Sequence, residues 1–393
     1  MRILYLTLEN LSLHKGSVVH VKEIVNGLRK LGHHVGLVAS SLNKSEEANR
    51  FYNLNVIPSF MLRLFRLKKQ PYIVSLIFLF LYLLRILPQY DIIYARDYHT
   101  VMIALFPRLI FKKKLVFEIN GIANEEQRLK NNSLLNSILV FLIQKAEKMA
   151  TKYSEKIISV TPHIRAYLVQ NYNCSPDKVK AIPNGVNTKK FQPIHDEALL
   201  GQWKDRLEIA KEEIVIAFVG NLAPWQGVEY LIEVAPLLLK ETKNIKFLII
   251  GDGILKMGLK EKVNRLGVSN HFVFAGMVNH QEIPFYINIA DICVLPKRRL
   301  KSGYSPIKLF EYMACGKPVV DTRVEGLEFI EEEGTGRLIE PENVEGFEKT
   351  LYDLIKEPEE RIRMGEKGLQ IARERFSWES RVTEIEKVLK ELA

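Results

Sequence analysis

The sequence predicts an α/β protein with two doubly wound, mostly parallel sheets. Three observations point there. Short apolar runs of strand length alternate with longer segments of helical spacing. The alternation halts at a turn-rich segment near residue 180 and then starts again. At 393 residues the chain is long for one hydrophobic core and natural for two.

The elements read in order. RILYLTL near the N-terminus is a buried strand, and the next segment has helical spacing at Val21, Ile24, Val25 and Leu28. HHVGLVAS, DIIYAR and KLVFEIN are further strands, and Ile157–Val160 is another, followed by the helix opening TPHIRAYLVQNY. The second series runs IVIAFV, KFLIIGDG, FVFAGMV, ICVLP and KPVVDT, with no sequence repeat linking it to the first. The boundary falls in KVKAIPNGVNTKKFQP, punctuated by Pro183, Asn184-Gly185 and Pro193. This gives a first domain over 1–183, a linker over 184–193 and a second domain over 194–375. The tail, 376–393, is helical, with apolar Val382, Ile385, Val388 and Leu389.

Apolar content of 47% and charged content of 26% are those of a soluble globular protein. Cys174, Cys293 and Cys315 lie far apart, without paired or metal-ligand spacing. That excludes a disulfide scaffold and a structural zinc site and fits a reducing cytoplasm. The start, MRILYLTLEN, lacks the apolar core of a signal peptide, so none is expected.

The net charge of +10 is unevenly placed. Residues 1–193 carry 28 basic and 12 acidic side chains, a balance of +16; the remainder carries 28 and 34, a balance of −6. The first half therefore expects an anionic partner. Its basic residues flank apolar runs: Arg63, Arg66, Lys68 and Lys69 precede PYIVSLIFLFLYLLRILP, and Lys112–Lys114 follow IALFPRLIF. This pattern fits an anionic membrane surface on the inner face of the cell membrane better than nucleic acid. The apolar run Ile73–Leu84 is too short to span a bilayer, which takes about 20 residues. It reads either as a helix buried on a sheet or as one resting on a membrane.

The most informative run is Ser302–Asp321, SGYSPIKLFEYMACGKPVVD. Ser305 suits an N-cap and Pro306 the first helical position, so Ser305, Pro306 and Ile307 open a helix whose free N–H groups favour phosphate. Lys308 and Glu311 follow on one face. A carboxylate there can accept two hydrogen bonds from a vicinal diol such as ribose. Together these make a grip for a nucleoside diphosphate.

This run resembles the C-terminal signature of the retaining glycosyltransferases of family 4, which have the GT-B fold: two Rossmann-like domains whose parallel sheets face a central cleft. Glu311 before Met313-Ala314-Cys315-Gly316-Lys317-Pro318 matches the second of the family's two glutamates, and Gly303 stands where the first would be. The segment Ile182–Pro193 resembles the family's interdomain segment, and in that fold the terminal helix packs back on the first domain.

The resemblance implies roles for further residues. Gly16, after Lys15 and before Ser17, occupies one place of the family's Gly-Gly loop, facing the donor's phosphates, and His20 follows on the acceptor side. Read as residues alone, Gly16 marks a tight turn and His20 an exposed first-turn histidine. Asn120, in FEINGIANEE, stands where the family has a histidine beside the transferred sugar, which assigns it with Lys308 and Glu311 to catalysis. Asn221 and Gln226 replace an Arg and a Lys that grip the diphosphate. Lys308 and Arg298, in the basic loop Lys297-Arg298-Arg299, are candidates to replace the lost charge. Met277 and Val278, after Gly276, would hold the nucleobase edge through their backbone.

The resemblance implies transfer of a sugar from a UDP- or GDP-sugar, or a similar donor, to a glycan or lipid-linked acceptor. No cofactor is expected, and no metal, since no Asp-x-Asp is present to hold one. Two other classes fit the same residues: a non-catalytic nucleotide-sugar-binding subunit and a nucleotide-sugar epimerase.

Overall fold

A computed structural model describes residues 1–11, 16–40, 72–128, 133–298 and 307–392; the side chains of 40, 72–78 and 126 are outside the description. The described chain forms two compact units, one of 1–184 with 378–392, the other of 185–298 with 307–377.

The first unit runs β1 (Arg2–Asn10), α1 (Gly16–Lys30), β2 (His34–Ser40), α2 (Tyr72–Ile86), β3 (Ile92–Arg96), α3 (Tyr98–Ile110), β4 (Lys114–Ile119), α4 (Ala123–Arg128), α5 (Leu134–Tyr153), β5 (Lys156–Ser159), α6 (Pro162–Tyr172) and β6 (Val179–Ala181). Its six strands are parallel in the order β2-β1-β3-β4-β5-β6. Helices cover both faces, so the central strands are apolar on both sides. Ile3, Leu4, Tyr5 and Leu6 of β1 and Ile92–Ala95 of β3 are all buried.

α2 contains the apolar run Ile73–Leu84. Leu79, Leu83 and Ile86, spaced four and three apart, enter the core, while Leu81 faces outward. The described part of this helix is thus a half-buried cover of the sheet. The basic residues Arg63, Arg66, Lys68 and Lys69 lie outside the described residues. No helix among the described residues is long and apolar enough to cross a membrane.

The second unit runs α7 (Glu197–Arg206), β7 (Ile214–Val219), α8 (Val228–Glu241), β8 (Ile245–Ile250), α9 (Lys256–Arg265), β9 (Phe272–Gly276), α10 (Ile283–Asn288), β10 (Ile292–Leu295), α11 (Ile307–Ala314), β11 (Val319–Thr322), α12 (Phe329–Glu332), β12 (Gly336–Ile339), α13 (Val344–Lys356) and α14 (Pro358–Arg375). The parallel order is β12-β11-β10-β7-β8-β9. The last helix, α15 (Trp378–Lys390), belongs to the first unit, where Trp378, Val382, Ile385 and Leu389 share a core with Val21 and Ile24 of α1.

Candidate active site

Each sheet has one place where strand order reverses, and ligands bind at the carboxyl ends of strands at such points. In the second sheet the chain leaves β7 towards β8 and β9, then returns to β10 on the other side. The loops after β7 and β10 meet there. A Cβ on Gly227 would stand 1.8 Å from Pro296 O, and Gly227 has φ +65°, so this approach requires glycine. Arg298 N donates to Trp225 O at 3.2 Å. α11 is tied to the same place, since Val219 N at the end of β7 donates to Tyr312 Oη at 2.8 Å.

Glu311 sits on α11, 2% exposed. Lys308 Nζ donates to its Oε2 at 2.7 Å, and His280 Nε2 lies 3.8 Å from Oε1. Burial alone would raise the carboxyl pKa, but Lys308 and His280 outweigh it and hold Glu311 below the ordinary value. His280 is held from behind by Lys190, which contacts its Nδ1, and by the edge of Phe191, 5.9 Å between centroids. From sequence, Glu311 expects either ribose hydroxyls or a salt bridge such as one with Lys308; the structure supplies Lys308 and adds His280. Sequence spacing points to neither His280 nor Lys190.

The remaining donor-side residues surround this centre unevenly. Asn221 is exposed and Gln226 half-buried in the loop after β7. Arg298 is already paired: its Nε donates to Glu229 Oε1 at 2.9 Å, and it lies over the Tyr230 ring at 5.5 Å. Lys297 beside it is buried, and desolvation, only partly opposed by Asp321, lowers it to about 8. Met277 is 82% exposed and Val278 half-buried after β9, where Gly276 O accepts from Gly251 N at 2.8 Å. Ile307 begins the described part of α11, while Arg299, Gly303, Ser305 and Pro306 lie outside the described residues.

In the first sheet the order reverses between β1 and β3. A cavity of about 390 Å³ lies there, lined among others by Glu9, Arg96, Asp97, His99 and Asn120. Under it is a buried polar network centred on Glu118, which is 0% exposed. Glu118 faces His20 Nε2 at 2.7 Å, and it accepts from Tyr94 Oη at 2.6 Å and Asn120 Nδ2 at 2.7 Å. Arg96 Nε is 3.4 Å away, and Arg96 Nη1 donates to Glu9 at 2.9 Å. Burial would raise the Glu118 pKa; the charge and hydrogen bond of His20, with Arg96 and Tyr94, bring it down to about 2.

His20 is not the exposed first-turn residue that its position on a helix suggests. It is 4% exposed, its Nδ1 contacts Asn184 Oδ1, and Trp378 presents an edge to its ring, 5.4 Å between centroids. From sequence, Asn184 reads only as a turn residue. Gly16 begins α1, and Lys15 lies outside the described residues. The structure thus joins His20 and Asn120 through Glu118, and Lys308 and Glu311 directly. Among the described residues no cluster of three or more His, Cys, Asp or Glu could hold a metal ion.

Two family models match the chain. Residues 14–190 match the family model described as Glycosyltransferase Family 4, and residues 201–370 match Glycosyl transferases group 1. An uncharacterised glycosyltransferase of Methanocaldococcus jannaschii is 27% identical over 86% of this chain and 85% of its own length. The alpha-D-kanosaminyltransferase of Streptomyces kanamyceticus is 26% identical over 59% of each chain. Among solved structures, Anabaena HepE in complex with UDP superposes with a TM-score of 0.79 over 100% of both chains at 18% identity. WaaG, a glycosyltransferase of lipopolysaccharide biosynthesis, gives 0.73 over 98% of this chain and 99% of its own at 16% identity. The chain belongs to the family 4, group 1 glycosyltransferases and has the GT-B fold.

Proposed function

We propose that the protein transfers a sugar from a nucleoside diphosphate sugar, most simply a UDP-sugar, to a hydroxyl of a glycan or lipid-linked acceptor, with retention of configuration. The observation that carries the reading is Glu311: a buried, ionised carboxylate at the reversal point of the second sheet, pinned by Lys308 at 2.7 Å. In this reading Glu311 accepts the ribose hydroxyls. The loops after β7 and β10 take the diphosphate, with Asn221 and Gln226 giving neutral contacts. The backbone after β9, at Met277 and Val278, takes the base edge. Ile307 contributes a backbone N–H and Ser305 the capping hydroxyl, while Pro306, which has no N–H, restricts the backbone between them.

Chemistry then needs little more than position and charge. The bond between the anomeric carbon and the diphosphate breaks, and the electron pair leaves with phosphate. Lys308 and Arg298 oppose the charge that develops there, without a metal. The acceptor oxygen bonds the anomeric carbon on the face the diphosphate leaves, and its proton passes to a phosphate oxygen. Asn120 positions the sugar, and Glu118 fixes Asn120 and His20. The acceptor takes the polar cavity of the first unit. HepE, which was solved with UDP and with UDP-glucose, supports the UDP class of donor.

The test is incubation with a panel of UDP- and GDP-sugars and hydroxyl acceptors. Product with the donor's anomeric configuration is expected. Interconversion of the donor sugar would make the protein an epimerase, and binding without turnover would make it a non-catalytic subunit.

A further inference from the structure

The solvent face of α5 carries a run of exposed large apolar side chains. Leu134 and Leu135 are 79% and 80% exposed. Ile138, Leu139, Phe141 and Leu142 are also exposed. Leu134, Ile138 and Phe141 form one row at helical spacing; Leu135, Leu139 and Leu142 form the row beside it. An outward face of six large apolar side chains over two and a half turns has no role in the core, and such patches mark interaction sites. The opposite face does the packing, through Asn136, Val140, Glu147, Ala150 and Thr151.

The first row continues along the helix as Lys145, Lys148 and Lys152, all exposed. The one carboxylate of the helix, Glu147, cannot offset them at the surface. It is 1% exposed and accepts from Ala123 N, Asn124 Nδ2 and Tyr172 Oη. Lys145 Nζ lies 5.2 Å from the centroid of the Phe141 ring, where the apolar and basic parts of the stripe join. α3 packs beside α5 and exposes Phe106, Leu109 and Ile110 at its C-terminal end, followed by Lys112, Lys113 and Lys114.

We propose that this face of the first unit docks on an anionic lipid bilayer: the apolar N-terminal turns of α5 enter the headgroup–acyl boundary while Lys145, Lys148 and Lys152 meet lipid phosphates. An amphipathic helix lying in an interface combines these two features. The occupant is a bilayer and not a second copy of the chain. A two-fold contact through the apolar turns would leave Lys145, Lys148 and Lys152 of each copy with no surface carboxylate on the other α5 to pair with, whereas lipid phosphates supply that charge. The inference deepens the proposed lipid-linked class of acceptor and rests on that reading. It moves the docking element from the run Ile73–Leu84, whose described part turns into the core, to α5.

The test uses the full chain and sedimentation with vesicles of phosphatidylcholine alone, or of phosphatidylcholine mixed equally with phosphatidylglycerol. Two variants are compared, Leu135→Gln/Ile138→Gln/Leu142→Gln and Lys145→Gln/Lys148→Gln/Lys152→Gln. All six side chains are exposed, so melting temperature and UDP binding by calorimetry are expected to match wild type, which confirms folding and an intact donor site. Wild type is expected to sediment with the anionic vesicles and less so at high salt. The apolar variant should bind at least tenfold more weakly even at low salt. The lysine variant should lose its preference for anionic over neutral vesicles. Wild-type vesicle binding by the apolar variant would overturn the assignment to α5 while leaving membrane association in place. Absence of vesicle binding by wild type would overturn both. A wild-type dimer in sedimentation velocity that the apolar variant abolishes, without vesicle binding, would assign the face to a second copy instead. Transfer to a soluble acceptor is scored separately and is unaffected by any of these results.

Discussion

Lys308 Nζ donates to Glu311 Oε2 at 2.7 Å, one helical turn apart, with the carboxylate buried and the ammonium partly open to solvent. The pair makes each residue's role depend on the other. Glu311 is held ionised by Lys308, and Lys308 is aimed by Glu311. Replacement of either therefore changes the site beyond its own side chain.

Glu311→Gln keeps the volume and one acceptor oxygen but removes the charge. It should weaken nucleotide-sugar binding or turnover at least tenfold, a loss on the order of 1.4 kcal/mol or more. Glu311→Ala should do the same and also lower the melting temperature, because it leaves Lys308 without any acceptor oxygen and opens space at a buried position. Steady-state kinetics and a melting curve measure both. Undiminished kcat/KM in Glu311→Gln would remove the carboxylate from the site.

Lys308→Met and Arg298→Met separate diphosphate from nucleoside recognition. Each should raise the Kd for a nucleoside diphosphate several-fold; Arg298→Met should leave the Kd for the nucleoside nearly unchanged, while Lys308→Met, which also loosens Glu311 at the ribose, should raise it by a smaller factor. Arg298 already pairs with Glu229, so its effect should be the smaller of the two. Calorimetry with both ligands measures this. A chelator should leave activity unchanged, since these side chains supply the positive charge.

Glu118 gives a pH signature. Its folded-state pKa, about 2, lies below the ordinary value of 4.5. Its stabilisation is therefore complete above about pH 4.5 and is lost as pH falls towards 2, in total on the order of 3 kcal/mol. Glu118→Gln should lower stability at pH 7 by a comparable amount and flatten this acid limb. Urea denaturation at pH 7, 5 and 3.5 tests it; parallel pH profiles for the two proteins would contradict the ionised network. The variant should also lose activity, because Asn120 and His20 both lean on this carboxylate.

Gly227→Ala tests the meeting of the two loops. The new methyl would stand 1.8 Å from Pro296 O in a left-handed backbone, which by itself costs about 1–2 kcal/mol. The melting temperature and UDP affinity should both fall. A loss of stability with unchanged UDP binding would place the diphosphate away from these loops.

The strands were readable because buried parallel strands are near-continuous apolar runs, as IVIAFV and KFLII show. Strand order was not, because a crossover helix hides which neighbour a strand joins. Glu311 was readable as a lone carboxylate among apolar residues. Its partner His280 was not, being 31 positions away on another loop. The same holds for His20 with Glu118, 98 positions apart, and with Asn184, 164 apart. The apolar turns of α5 show the opposite difficulty. Spacing reports that leucines are present, and only the packing reports that Leu134 and Leu135 face solvent.

Sugar transfer rests on donor binding by the second unit through Glu311. The most direct measurement is calorimetric titration of wild type and Glu311→Gln with UDP-sugars and GDP-sugars, followed by turnover with the tightest donor. Wild type is expected to bind one nucleotide class, Glu311→Gln to bind or turn over at least tenfold more weakly, and the product to keep the donor's anomeric configuration. Tight binding and full turnover in Glu311→Gln, or a product of inverted configuration, would contradict it.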